Sequence, residues 1–279
     1  MAKRNRGGIR FPLLVVALFL ISAAAFAGGK KEAAAKGPTV VRIGIVGDAN
    51  EQWKPVIAKL ALEGIKIELV DFTDYVTPNR ALEDGEIELD SFQHYAFLNN
   101  EIATKGYHLT PIGETLLAPL GLYSKKIKSV SELKNGDKIA LPNDVVNGGR
   151  ALRVLEAAGL LTIPAAAGPT PNLSDITVNR LNLEFIEVEA AQTPRLLDDV
   201  TASIINGGHA VNFGLNPERD SIALERQSGG TSNPYINVIV ARTADKDNPV
   251  YKRIVEAYRS DEVKEVFQTV YKGAYIPVW

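Results

Sequence analysis

The stretch Leu141-Pro142-Asn143-Asp144-Val145-Val146-Asn147-Gly148-Gly149-Arg150-Ala151-Leu152 most limits the folds open to this chain. The apolar run Lys138-Ile139-Ala140-Leu141 reads as a short buried strand that leads into it. Apolar residues at Leu152, Leu155, Ala158 and Leu161 read as a helix that leads out. A strand, a glycine-bearing turn and a helix in that order form half of an α/β unit. With Asn147 as N-cap, Arg150 falls in the first helical turn, where the helix dipole disfavours a cation and free N–H groups favour an anion. A cation so placed suggests a guanidinium fork that holds a carboxylate or phosphate. The alternative is a solvated Arg or one paired with a nearby acid.

The same alternation runs through the chain. Val40 to Val46 is apolar enough for a buried parallel strand. Helix Gln52–Glu63, strand Ile65–Phe72, helix Asn79–Asp84, strand Leu89–Phe92 and helix Ala96–Lys105 follow. Thr77-Pro78 and Thr193-Pro194 read as N-cap and N1 pairs. Extended runs cover Leu109–Leu117, Leu120–Ser124, Leu183–Val188, Ala202–Asn206 and Ile236–Arg242, and two helices close the chain. This pattern predicts α/β architecture with mostly parallel sheets. The 279 residues suffice for two lobes. Crossings near Ala118-Pro119 and Gly229-Gly230 divide the chain into lobe I (39–118 plus 230–279) and lobe II (119–229). A chain that crosses twice makes a hinge, and the cleft between the lobes is the expected ligand site.

Residues 1–27 are set apart from the fold. Lys3, Arg4, Arg6 and Arg10 precede an apolar run that ends in Ala25-Phe26-Ala27, the pattern of a secretory signal peptide. An uncleaved anchor is the alternative, though the run is short for a membrane span. Residues 28–38, with Glu32-Ala33-Ala34-Ala35-Lys36, have the composition of a linker. Removing the four leader cations leaves 27 Lys and Arg against 33 Asp and Glu, a net charge of −6. That balance argues against nucleic acid and anionic membrane surfaces as partners. With no cysteine, disulfides, thiolate metal sites and a cysteine nucleophile are excluded. Phosphate-binding, nucleophile-elbow and zinc-protease motifs are missing, and His94, His108 and His209 lack metal spacing. No catalytic residue, metal or cofactor is therefore expected.

Small polar and aromatic residues gather at strand ends instead: Asp74-Tyr75, Phe92-Gln93-His94, Asn206 and Asn233-Pro234-Tyr235-Ile236-Asn237. Ligands of open α/β sheets sit outside the carboxyl ends of strands. This set suits a small zwitterion. Arg150 would hold a carboxylate, Asn oxygens would accept from an ammonium, and Tyr75, Phe92 and His94 would wall an apolar side chain. Each residue also has a plain structural reading: Phe92 as core, Tyr75 at the surface, Asn206 and Asn237 as turn residues.

Five segments, in order and with normal spacing, resemble the methionine-binding lipoprotein (NlpA) family. They are Asp71-Phe72-Thr73-Asp74-Tyr75-Val76-Thr77-Pro78-Asn79, Phe92-Gln93-His94, Ser124-Lys125-Lys126-Ile127-Lys128-Ser129, the 141–152 stretch, and Asn233-Pro234-Tyr235-Ile236-Asn237. The resemblance spans about residues 40 to 279. It implies a two-lobed, hinge-bending fold of the periplasmic-binding-protein type, without catalysis. It further implies a solute-binding protein that delivers methionine to the transmembrane permease subunit of an ABC importer, as a monomer. The ligand-binding positions it implies are Tyr75, Phe92, His94, Arg150, Asn206 and Asn237, with Asn147 from the same turn as Arg150. Trp279 resembles the family's C-terminal tryptophan.

Two departures carry consequences. The family is normally lipidated on a cysteine after the signal peptide, and this chain has none. A freely soluble secreted form, periplasmic or associated with the cell envelope, is the simpler expectation. Asn206-Gly207-Gly208-His209 differs from the run that relatives carry there. Another apolar amino acid or a Met-containing dipeptide therefore stays open as ligand. A secreted enzyme using His94 or His209 as base, or a binding fold that has lost its ligand, are the remaining alternatives.

Overall fold

The computed structural model describes residues 38–225 and 233–279. The signal peptide at 1–27, the linker apart from Pro38, and the Gly229-Gly230 crossing lie outside the described residues. In chain order the elements are β1 (Thr39–Val46), α1 (Trp53–Ala61), β2 (Ile65–Phe72), α2 (Thr77–Glu83), β3 (Leu89–Asp90), α3 (Tyr95–Lys105), β4 (Leu109–Leu117) and β5 (Gly121–Tyr123). Then come β6 (Lys138–Pro142), α4 (Val145–Ala157), a short pair β7 (Leu161–Thr162) and β8 (Val178–Asn179), β9 (Glu184–Val188), β10 (Ala202–Ile205), α5 (Gly207–Asn212), α6 (Pro217–Asp220) and β11 (Ser221–Leu224). The chain ends with β12 (Ile236–Arg242), α7 (Pro249–Tyr258), α8 (Asp261–Thr269) and β13 (Ile276–Pro277).

Two sheets organise the fold as two lobes. One has six strands in the order β13-β4-β12-β3-β1-β2, and the other has five in the order β11-β5-β10-β6-β9. The fold is α/β and of the two-lobed periplasmic-binding-protein type. Its sheets are mixed, which corrects the expectation of mostly parallel sheets. β1 runs parallel to β2 and β3, and β6 parallel to β9 and β10. β12 is antiparallel to β3 and β4, and β5 is antiparallel to β10 and β11. Connectivity dictates this. β4 leaves the first sheet toward Ala118-Pro119, and β12 re-enters beside it, so the two run in opposite senses. β5 and β11 mirror that relation in the second sheet.

Each sheet builds its own core. Val41, Ile43 and Ile45 of β1 face Trp53, Val56 and Leu60 of α1, with Tyr258 and Phe267 from the terminal helices. Trp279 packs on this core, 5.7 Å from the Tyr258 ring and 6.0 Å from Phe267. Ile139 and Leu141 of β6 meet Leu152 and Leu155 of α4 in the second core. The helix spacing of 3 to 4 residues against the strand period of two is what brings these faces together.

Three helix starts differ from the sequence reading. The N-cap of α4 is Asp144, not Asn147: its carboxylate accepts from Asn147 N at 2.8 Å. Arg150 therefore lies in the second turn, buried, beyond the range where the dipole acts strongly. Thr77 and Pro78 lie inside α2, whose free N–H groups at Val76 and Thr77 are taken by Asp74. Thr193-Pro194 lies inside a 3-10 segment, Ala190–Asp198, with the Thr193 hydroxyl donating back to Ala190 O at 2.8 Å.

Candidate functional site

Tyr75, Phe92, His94, Asn147, Arg150, Asn206 and Asn237 all line one cavity. The first sheet and its connections supply Tyr75, Phe92, His94 and Asn237. The second supplies Asn147 and Arg150 on α4 and Asn206 at the end of β10. Gly207, Gly208 and His209 complete that side of the wall, and Phe97, Gln52 and Tyr275 complete the other.

His94 is fixed by two bonds. As N-cap of α3 its Nδ1 accepts from Phe97 N at 3.1 Å. The ring proton therefore resides on Nε2, which lies 3.4 Å from Asn147 Oδ1. Burial, with the charge of Arg150 second, pushes its pKa down to about 3, so the ring is uncharged. Asn147 Oδ1 also accepts from Asn206 Nδ2 at 2.8 Å, and Asn147 Nδ2 donates to both oxygens of Asp144 at 3.1 Å. Asn147 thus joins the helix cap, His94 of the opposite lobe and Asn206. Asn206 Oδ1 is buried and has no partner among the described residues, and the same holds for His209 Nε2. The first is an acceptor in the cavity wall awaiting a donor.

The apolar wall is aromatic. Tyr75 lies 5.8 Å from Phe92 and 6.1 Å from Phe97. It stacks on His209 across the cleft at 4.7 Å. Burial pushes the His209 pKa down to about 4, which leaves that ring neutral as well. Ala49 N donates to Asn212 Oδ1 at 2.8 Å, a further bond across the cleft.

Among the described residues Arg150 is the one cation of the cavity wall, and it is 2% exposed. Its Nε and Nη2 donate to Glu225 at 2.6 and 2.5 Å, and Nη2 donates also to Ala118 O at 3.1 Å. Its Cζ sits 4.2 Å over the Tyr235 ring. The pairing with an acid that was the plain alternative for Arg150 is therefore present, while the residue also reaches the cavity. Glu225 escaped the sequence reading. It stands 75 residues from Arg150, and only the β5–β11 pairing brings it there.

Residues 41–279 match the family model described as NlpA lipoprotein. The chain is 41% identical over 265 residues to the D-methionine-binding lipoprotein MetQ of Salmonella typhimurium, covering 93% of this chain and 95% of that protein. A solved nutrient-binding protein from Burkholderia cenocepacia, bound to methionine, is 38% identical with a TM-score of 0.81 over 86% of this chain and all of its own (100%). An ABC transporter periplasmic substrate-binding protein from Coxiella burnetii is 37% identical with a TM-score of 0.78, over 85% of this chain and 100% of that one.

Proposed function

The chain belongs to the NlpA lipoprotein family, and from that premise we propose that it is the extracytoplasmic solute-binding component of an ABC importer, taking methionine into its cleft and delivering it to the permease. The observation that carries this is the meeting of Arg150, the unengaged Asn206 Oδ1 and the Tyr75–Phe92–Phe97 wall at one cavity. The carboxylate goes to Arg150 and the ammonium to Asn206. The thioether lies against the aromatic rings, a contact that sulfur favours. Asn237 and the Asn147–His94 pair close the polar end. Lobe I comprises 39–118 plus 230–279 and lobe II 119–229, and ligand held by both drives closure because it binds the closed state better.

The protein binds and releases without turnover: both His94 nitrogens are engaged, so His94 has no lone pair for a substrate. Cleavage after residue 27 gives a monomer of the periplasm or cell envelope. The unpartnered His209 Nε2 favours, as second reading, a ligand with one more hydrogen-bonding group, such as a Met-containing dipeptide.

The test is a thermal-shift panel on refolded, ligand-stripped protein with both methionine enantiomers, other amino acids and Met dipeptides. A ligand at about 1,000 times its Kd adds roughly 4 kcal/mol. A large shift with methionine, lost in R150A, is expected. A shift with dipeptides alone moves the substrate, and no shift with any member sinks the proposal.

A further inference from the structure

Arg150 does not offer its fork to the cleft. The side of the guanidinium formed by Nε and Nη2 is closed by Glu225, and the other hydrogen of Nη2 is taken by Ala118 O. Nη1 is the guanidinium nitrogen with no partner among the described residues. Glu225 is not a placeholder in that position. Its Oε2 also accepts from Leu120 N at 3.1 Å, and its own N–H donates to Leu120 O at 2.9 Å. That backbone bond continues the β5–β11 ladder beyond Leu224 and Gly121. A ligand that displaced Glu225 would leave the Leu120 N–H without its acceptor and break both bonds between the carboxylate and Arg150, which is costly in a buried site.

Among the described residues the cavity wall is uncharged apart from Arg150 itself. We propose that Glu225 is a positioning residue for ligand recognition: it turns Arg150 so that Nη1 alone meets the ligand carboxylate, and it cancels the guanidinium charge, so that the cleft selects a net-neutral zwitterion over an anion of the same shape. The inference rests on the amino-acid reading of the cleft given above. An unpaired buried guanidinium would reward any anion. A balanced pair leaves an excess charge in a weakly polar site when the ligand brings a carboxylate without an ammonium. Glu225 also ties the end of β11 to Leu120, the residue after the Ala118-Pro119 crossing, while Arg150 bonds Ala118 itself. The residue that reads the carboxylate is thereby bonded to the hinge.

Calorimetric titration of wild type, E225Q and E225D against methionine and its hydroxy-acid analogue tests this, since the two ligands differ by a hydroxyl in place of the ammonium. Wild type and E225D are expected to prefer methionine. In E225Q that preference falls at least about tenfold. A merely structural role would weaken both ligands alike, and an equal loss or an unchanged ratio overturns the proposal. Leucine and its hydroxy acid are run in parallel. A wild type that ignores methionine but takes leucine sinks the ligand assignment and still measures the charge preference. Should E225Q fail to fold, the Arg150 Nε–H resonance of wild type decides. It stays protected from exchange when amino acid is added if Glu225 remains in place, and it loses protection if the ligand displaces Glu225, which refutes the positioning role. With no amino acid bound, an Nε–H that exchanges freely refutes it too.

Discussion

Gly207 and Gly208 are neighbours under opposite constraints. A Cβ on Gly207 would lie 2.8 Å from Pro119 O and 3.1 Å from Ala118 Cβ, inside the segment that joins the lobes. A Cβ on Gly208 would meet the Tyr75 and Tyr275 hydroxyls at 3.9 Å, an ordinary contact. G207A must push α5 away from the crossing, and with it Asn206 and His209. It is expected to cost about 1–3 kcal/mol in urea denaturation and to weaken ligand binding. G208A relieves a helical glycine and is expected to hold stability or gain up to about 1 kcal/mol. The reverse order would show that α5 is not held against Pro119. At this scale the sequence disclosed which residue types belong in an amino-acid pocket. Arg150, His94 and Asn206 could be named because each sits at the end of a recognisable strand or turn. Glu225 could not, because 33 acids compete for the role and only the folded chain selects one.

The start of α4 shows why an element can be placed correctly and its cap misplaced. Asp144 and Asn147 are both good N-caps, three residues apart, and the glycines after Asn147 suggest a turn. In the structure Gly148 and Gly149 are helical, and their reason is close packing. A Cβ on Gly148 would meet Pro142 O at 2.8 Å, and one on Gly149 would meet Thr170 Cα at 2.6 Å. The helix starts early because Asp144 takes the Asn147 N–H, and that frees the Asn147 side chain for His94 and Asn206. Cap and ligand site are thus one network. D144A is expected to lose about 1–2 kcal/mol of stability, with D144N close to wild type. D144A should also lower methionine affinity by more than an equally destabilising substitution far from the cleft, since Asn147 loses its anchor. Equal affinity in D144A and wild type would separate the cap from the site. Strand β11 was not foreseen at all: its four residues are all half-buried and give no alternation to read.

At the scale of the whole molecule the long strands were legible and their directions were not, because direction follows from where the chain leaves and re-enters each sheet and no local signal encodes it. The same burial that forms the two cores also sets a pH window. His94 and His209 are held near 3 and 4 in the fold against about 6.5 in the unfolded chain. As pH falls below about 6.5 the unfolded chain gains protons that the fold excludes, so stability is lost toward acid. Asp90 works in the opposite sense. It is fully buried on β3, its carboxyl accepts among the described residues only from Gln93 Nε2, at 3.0 and 3.1 Å, and burial pushes its pKa up to about 8. Its folded pKa exceeds the unfolded value of about 3.9, so its stabilisation is complete below that value and is lost as pH rises through about 8. Asp144 and Glu101, also raised by burial first of all, lean the same way. Between about pH 4 and 6.5 two histidines outweigh Asp90, and above about 6.5 the Asp90 slope remains, at most about 1.4 kcal/mol per pH unit. Stability is therefore expected to peak near pH 6.5 and to decline toward pH 8. D90N keeps the shape and an acceptor for Gln93 but cannot ionise, so its alkaline limb should be flat where that of wild type falls. Urea titrations at intervals from pH 5 to 9 read both limbs directly. A D90N limb as steep as that of wild type would mean that Asp90 carries its charge in the fold, and the loss toward alkali would then have to come from another buried group.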